Sequence, residues 1–155
     1  VLFRDICINE AKSAGVTFND KFIDSLALDL LQHPASYDVV VTTNMFGDIL
    51  SDVAAYLVGG LGLVPSANIG DEYALFEPVH GSAPDIAGKN IANPIAAIRS
   101  AIMLLEYLGD QKGAARVEPA IGRVLAQGIR TRDLGGSTGT RQFGDAMVRE
   151  IGRES

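Results

Sequence analysis

Apolar positions recur at helical spacing in some stretches and gather into short continuous runs in others, and this alternation sets the expected order of elements. Residues 3–14 place Phe3, Ile6, Cys7 and Ala11 on one face and stop at Gly15, which predicts a helix. A short strand is expected at residues 16–18. Residues 23–31 turn Ile23, Leu26, Ala27, Leu30 and Leu31 to one side, a second helix that ends before Pro34. The β-branched run of residues 38–43 predicts a strand buried on both faces. After a short polar loop, a helix is expected from Asp48, stopped by Gly59-Gly60.

Beyond those glycines, residues 65–71 read as loop and residues 73–77 as a strand. Residues 78–89 are polar and punctuated by Gly and Pro. Asn93-Pro94 is a strong helix start, with Asn as cap and Pro at the first helical position. The helix it opens runs to Leu108, before Gly109, and is apolar nearly all round, so deep burial is expected. A further helix is predicted over residues 116–127. The glycine-rich loop of residues 133–139 then precedes a last helix over residues 140–151.

The chain has 155 residues, 47% of them hydrophobic, enough for one ordinary core and too few for two complete domains. Its net charge of −6 argues against a nucleic-acid or anionic-membrane surface. Any small anion it binds needs a metal bridge or locally clustered Lys and Arg. The one cysteine, Cys7, excludes a disulfide within the chain, reads as a buried structural thiol and fits a reducing compartment. No apolar run reaches the ~18–20 residues that span a bilayer. A first residue of Val rather than Met suggests that the chain begins partway through something longer.

Two stretches carry candidate chemistry. In Asn44-Met45-Phe46-Gly47-Asp48-Ile49-Leu50-Ser51-Asp52, two carboxylates four residues apart share one side of a helix. Such a pair suits a hard divalent cation, because magnesium and manganese prefer oxygen ligands. It equally suits an acidic helix start, where the helix dipole welcomes Asp. The loop from Glu77 to Asn93 carries His80, two acids and exposed backbone donors, and it runs to a helix N-terminus, a natural seat for phosphate. It contains neither G-x-G-x-x-G nor a Walker pattern, and an ordinary connection explains it as well. His80 alone is ambiguous between a cofactor contact and a loop hydrogen bond, and Asn93 is explained as a helix cap.

Together these segments resemble the β-decarboxylating dehydrogenases of 3-isopropylmalate, isocitrate, homoisocitrate and tartrate. Residues 44–52 look like that family's metal signature. Glu77-Pro78-Val79-His80-Gly81-Ser82-Ala83-Pro84-Asp85-Ile86-Ala87-Gly88, with Ile91-Ala92-Asn93-Pro94, looks like its dinucleotide loop. Asp133-Leu134-Gly135-Gly136-Ser137 matches the loop before its last helix. The resemblance covers essentially the whole chain and is greatest to the 3-isopropylmalate enzymes. It implies an α/β, isopropylmalate-dehydrogenase-like two-domain fold of which this chain is the carboxy-terminal half. Residues 1–58 would belong to the central, dimer-forming, metal-binding domain, and residues 59–155 to the terminal, NAD-binding domain.

The resemblance also implies roles. Asp48 and Asp52 match two ligands of Mg2+ or Mn2+, and Asp24 matches a third carboxylate that the family supplies across the dimer interface. Asp24 is also the acid-base candidate. Glu77, His80, Gly81, Ser82, Ala83, Pro84, Asp85, Ile86 and Asn93 match the positions that hold the dinucleotide. Asp85 stands where the family binds the adenosine ribose, and a carboxylate there accepts from a 2′-OH and repels a 2′-phosphate, so NAD is expected over NADP. The Lys and Tyr that the family uses for proton transfer, and the arginines that clamp substrate, have no counterpart here. The half alone is therefore expected to be inactive.

The implied activity is oxidative decarboxylation of a 2-hydroxy di- or tricarboxylic acid by a cytoplasmic homodimer or higher oligomer with shared active sites. 3-Isopropylmalate, on the route to leucine, is the leading substrate, with isocitrate, homoisocitrate and tartrate as alternatives. A different class is a non-catalytic regulatory subunit of an NAD-dependent isocitrate dehydrogenase. Those relatives carry amides in place of metal-site acids, whereas Asp48 and Asp52 are both acids. A plain metal- or nucleotide-binding module is the remaining reading.

Overall fold

The computed structural model describes residues 2–153. The chain divides into two compact units, residues 1–57 and 58–155. Gly59 and Gly60, at φ 99° and 116°, lie just past the division, in backbone that only glycine adopts without strain.

The first unit is helical: α1 (Leu2–Ser13), α2 (Ile23–Gln32) and α3 (Asn44–Ala55), with α2 packed against α3. Lys21, Tyr37 and His33 all bond the Asp29 carboxylate, tying α2 to the turn that follows it. Those three partners, Lys21 foremost, hold Asp29 well below the usual carboxylate range.

Four expectations for this unit need correction. Residues 16–18 and 38–43 form no strand, although both are extended in sequence character. A strand is defined by a hydrogen-bonded neighbour, and no described residue pairs with either run. The run expected to be buried on both faces instead exposes Val39 and Val41 by 81% and 67%. Cys7 is only half-buried, because no residue of α1 is fully covered. Finally, α3 begins at Asn44, a full turn before Asp48, with Thr43 as its extended cap residue.

The second unit holds the sheet, an antiparallel hairpin of β1 (Pro65–Ile69) and β2 (Ala74–Pro78), with Ala67 opposite Phe76. Residues 65–69, expected as loop, become a strand because β2 supplies the partner that local composition cannot reveal. α4 (Ile95–Tyr107) packs against both strands and against α5 (Gln111–Ala126), which packs in turn on α6 (Thr140–Gly152). Asp110 accepts from the Gly113 N–H at 2.9 Å and so starts α5 well before the expected residue 116, leaving Pro119 inside the helix. Phe76 also meets the ring of Tyr107, with centroids 5.5 Å apart.

The core lies where α4, α5 and α6 meet, around Ile95, Ile102, Ala120, Ile121, Val124, Phe143 and Met147. α4 is buried on one face only: Leu104 and Leu108, apolar in sequence, are 39% and 69% exposed. Arg99 on α4 binds Glu118 on α5 at 2.6 Å and the Leu63 carbonyl at 3.1 Å, which fixes the turn at residues 61–63. Arg116 donates to the Ile151 carbonyl at 2.9 Å and so closes the end of α6.

Glu150 is the buried acid of this core edge, paired with Arg123 and Arg153 and accepting from Gln127 at 2.9 Å. The Gln127 bond foremost, with the two guanidinium groups, lowers its pKa from the ordinary 4.5 against the opposing effect of burial. Stability from this group is therefore complete above the ordinary value and is lost as pH falls through the lowered one. Glu150→Gln is expected to lower Tm at neutral pH and to flatten the acid limb of the Tm profile below about pH 4. An acid limb as steep as the parent's would place the titration elsewhere.

Candidate functional site

The second unit contains a cleft of about 1260 Å³. Common small-ligand pockets run to about 300–1,000 Å³, so this one has room for an extended ligand. Its walls come from three segments: the turn at Leu61 and Gly62, the loop from His80 to Asn93, and the Arg132–Asp133 and Thr140–Arg141 ends of the segment before and into α6.

Hydrogen bonds lock these walls together. The Asn93 Oδ1 accepts from the Ile95 N–H at 3.0 Å, capping α4, while its Nδ2 donates to Asp133 at 2.8 Å. Buried Thr131 donates to the other oxygen of Asp133 at 2.6 Å. Asn90 sits in the left-handed region at φ 57° and caps α6 from a distant part of the chain. Its carbonyl accepts from the Thr140 N–H at 3.0 Å and its Oδ1 from the Arg141 N–H at 2.9 Å. Thr140 returns a bond to the Ala92 carbonyl at 2.6 Å.

The glycines of the last loop make this closeness possible. A Cβ on Gly139 would stand 2.4 Å from Asn90 Nδ2, and one on Gly136 only 2.1 Å from the Arg130 carbonyl oxygen. The two ends of the glycine-rich run, Arg132–Asp133 and Thr140–Arg141, thus form one wall of the cleft, a role its composition alone does not disclose.

Of the dinucleotide positions read from the sequence, His80, Gly81, Ser82, Ala83, Ile86 and Asn93 line the cleft. Glu77, Pro84 and Asp85 do not. Glu77 is exposed on β2, and Asp85 is exposed in the turn between Ala83 and Ile86, which is closed by an Ile86 N–H to Ala83 carbonyl bond of 3.0 Å. His80 Nδ1 lies 3.0 Å from the Gly81 carbonyl, which only accepts, so Nδ1 carries the proton. In the neutral ring Nε2 is then an acceptor. Leu61, Gly62, Asn90, Arg132, Asp133, Thr140 and Arg141 are wall residues that the motif reading left unassigned.

Asp24, Asp48 and Asp52 lie in the first unit, on α2 and α3, and all three are exposed. None has an ion pair among the described residues; Asp24 accepts from its neighbour's Ser25 N–H at 2.8 Å. Among the described residues no three His, Cys, Asp or Glu side chains gather as a metal cluster. Asp48 and Asp52 fall in the second and third turns of α3, beyond the first-turn reach of the helix dipole. The acidic-helix-start explanation therefore no longer applies to them. As a donor set, two exposed carboxylates one turn apart fit a hard cation completed by ligands from elsewhere.

A two-stranded hairpin backed by helices, with a loop-walled cleft beside it, gives the second unit an α/β architecture. The family model described as isocitrate/isopropylmalate dehydrogenase matches residues 1–147. The chain is 59% identical over 151 residues to the isocitrate/homoisocitrate dehydrogenase of Thermus thermophilus, covering 97% of this chain and 45% of that protein. It is 56% identical over 154 residues to the 3-isopropylmalate/3-methylmalate dehydrogenase of Methanocaldococcus jannaschii, covering 99% and 46%. The crystal structure of isocitrate dehydrogenase from Methylococcus capsulatus superimposes with a TM-score of 0.86 at 47% identity, over 97% of this chain and 45% of that one. The chain belongs to the isocitrate/isopropylmalate dehydrogenase family and has the fold of the carboxy-terminal half of its members. It spans about half the length of the curated relatives it matches. No helix among the described residues is long and apolar enough to cross a membrane.

Proposed function

We propose that the intact protein carrying this chain catalyses the NAD-dependent, divalent-metal-dependent oxidative decarboxylation of a 2-hydroxy acid, with 3-isopropylmalate as lead substrate. The observation that carries this reading is the cleft, where six of the motif positions converge on one cavity inside the second unit. The chemistry fits: His80 Nε2 and the Asn93–Asp133 pair offer polar contacts to a nucleoside, and Ile86 and Leu61 offer apolar cover. Asp85 would accept from the ribose hydroxyls and repel a 2′-phosphate. Glu77 and Pro84 complete the proposed contact set from outside the cavity wall.

Asp48 and Asp52 are the proposed metal ligands, joined by Asp24 of another copy of the chain. Their exposure without counter-charge supports this, since like charges at i,i+4 on a helix repel by about 0.2–0.5 kcal/mol. These carboxylates would hold the cation, which would supply polarisation of the substrate oxygens, and the cleft would hold the nicotinamide as hydride acceptor. Asp24 would receive and return the proton at the substrate hydroxyl. A homodimer, or a larger assembly of dimers, follows from that shared site. It is supported by Leu28 on α2 and Met45 and Ile49 on α3, large apolar side chains that are 59%, 64% and 46% exposed. We place the enzyme in the cytoplasm, in leucine synthesis.

Isocitrate or homoisocitrate is the second substrate reading, favoured by the 59% identity to the Thermus enzyme named for both. Turnover of the intact protein with each hydroxy acid, NAD or NADP, and Mg2+ or Mn2+ decides between them. Absence of turnover with every one of them, despite tight metal binding, would overturn the catalytic reading in favour of a regulatory subunit. Asp85→Lys is expected to move the NADP-to-NAD preference by about tenfold or more, equivalent to about 1.4 kcal/mol. An unchanged ratio would remove Asp85 from the ribose contact.

A further inference from the structure

We propose that Arg132 and Arg141 form the anion-binding wall of the cleft, their guanidinium groups taking phosphate of the bound nucleotide in place of the helix N-termini. This deepens the dinucleotide reading above and rests on it. A nucleotide brings at least two negative charges into a chain whose net charge is already −6. Something local must meet them.

The usual solution is a helix N-terminus with free backbone donors. On both helices that open on this cleft, most of the first-turn donors are already engaged or buried. On α6, the Thr140 and Arg141 N–H groups bond Asn90, and the preceding Gly139 N–H bonds Gln142 Oε1 at 3.0 Å. On α4, Pro94 has no N–H, the Ile95 N–H is held by Asn93, and Ala96 is fully buried, which leaves at most Ala97 in that turn. A phosphate seated on the Thr140, Arg141 or Ile95 N–H groups would have to break caps that hold the cleft walls together.

The permanent cations are placed where the backbone donors are not. Arg132 and Arg141 are the Lys or Arg residues among the cleft-lining positions. Both are exposed, and neither side chain has an ion pair or hydrogen bond among the described residues. Elsewhere in the unit, Arg99, Arg123 and Arg153 are each matched to a glutamate. The nearest acid in sequence, Asp133, accepts from Thr131 and Asn93 and makes no ion pair with Arg132 among the described residues. Guanidinium groups bind phosphate through paired, charge-assisted hydrogen bonds, and their planar fork needs little ordering to do so. In NAD, as proposed above, that phosphate is the 5′-pyrophosphate; a 2′-phosphate shares the chemistry, and its capture would mark NADP instead and overturn the role given to Asp85.

Calorimetric titration of the intact protein with adenosine, ADP and 2′-AMP tests the assignment without relying on turnover. The parent should bind at least one of the phosphorylated ligands about tenfold or more tighter than adenosine, as expected for hydrogen bonds to charged groups. The Arg132→Ala/Arg141→Ala pair should abolish that advantage and leave adenosine affinity unchanged, which also shows that the cleft is still folded. Loss confined to ADP assigns the 5′-pyrophosphate, and loss confined to 2′-AMP assigns the 2′-phosphate. Arg149→Ala removes the same charge from an exposed part of α6 outside the cleft and should change nothing. Retention of the phosphate advantage in the double variant, or an equal loss in Arg149→Ala, would overturn the proposal and leave the dinucleotide cleft standing. A parent that binds neither NAD nor any of the three ligands would overturn both.

Discussion

Asp52→Asn is expected to cut turnover of the intact enzyme by more than about a hundredfold, since loss even of groups that merely support metal ligands costs about 10–100-fold in affinity or activity. Mn2+ affinity, measured by calorimetry, should fall with it. The same substitution should leave the fold intact or slightly more stable. Asp52 is exposed, lies in the third turn of α3 and has no ion-pair partner among the described residues to lose. Removing its charge also relieves repulsion from Asp48 by about 0.2–0.5 kcal/mol. The two measurements separate the alternatives cleanly. A solvated acidic face predicts unchanged turnover with a small rise in Tm; a metal ligand predicts collapse of turnover with the same small rise. Wild-type activity and metal affinity in the variant would sink the ligand assignment.

Phe143→Ala is expected to destabilise the second unit by about 3–5 kcal/mol, the range for large-to-small changes at fully buried aromatics. Phe143 is 0% exposed and sits in the cluster shared by α5 and α6. A domain's whole stability is about 5–15 kcal/mol, so this one side chain carries a large share. The fall in Tm should be on the order of 10 °C. The damage should also reach the cleft. The Phe143 N–H bonds the Gly139 carbonyl at 3.0 Å, next to the point where Asn90 caps α6. Nucleotide affinity should therefore drop below the melting temperature as well. A variant with parental Tm would mean that the core repacks around the gap.

Some elements were plain in the sequence and others were not, for reasons that differ by residue. Helices with caps written into them were legible: Gly15 ends the backbone turn after α1, Asn93-Pro94 opens α4, and Gly109 at φ 84° follows it. α5 was legible only in part, because its true cap is Asp110 and the interior Pro119 argues locally for a later start. Residues 65–69 looked like loop and are a strand, while residues 38–43 looked like a buried strand and are unpaired and exposed. Both errors have one cause. A strand is completed by its neighbour, and a neighbour is a property of the fold rather than of the segment.

The chemistry divides in the same way. The sequence by itself determined the family, the fold half and the residue types: the i,i+4 carboxylates of Asp48 and Asp52, and the loop that contributes His80, Ser82, Ala83 and Asn93 to the cleft. These are local patterns, carried by spacing within a dozen or so residues. Only the tertiary structure decided that the two ends of the glycine-rich segment before α6 join the same cleft. The bonds that bring them there join Asn90 to Thr140 and Arg141, and Asn93 to Asp133, across 40 residues or more. It also decided that Asn90 and Asn93 cap the helix N-termini at the cleft, and that Arg132 and Arg141 line it with no side-chain partner among the described residues. Spacing along a chain records which groups are available; only packing records which of them are already engaged.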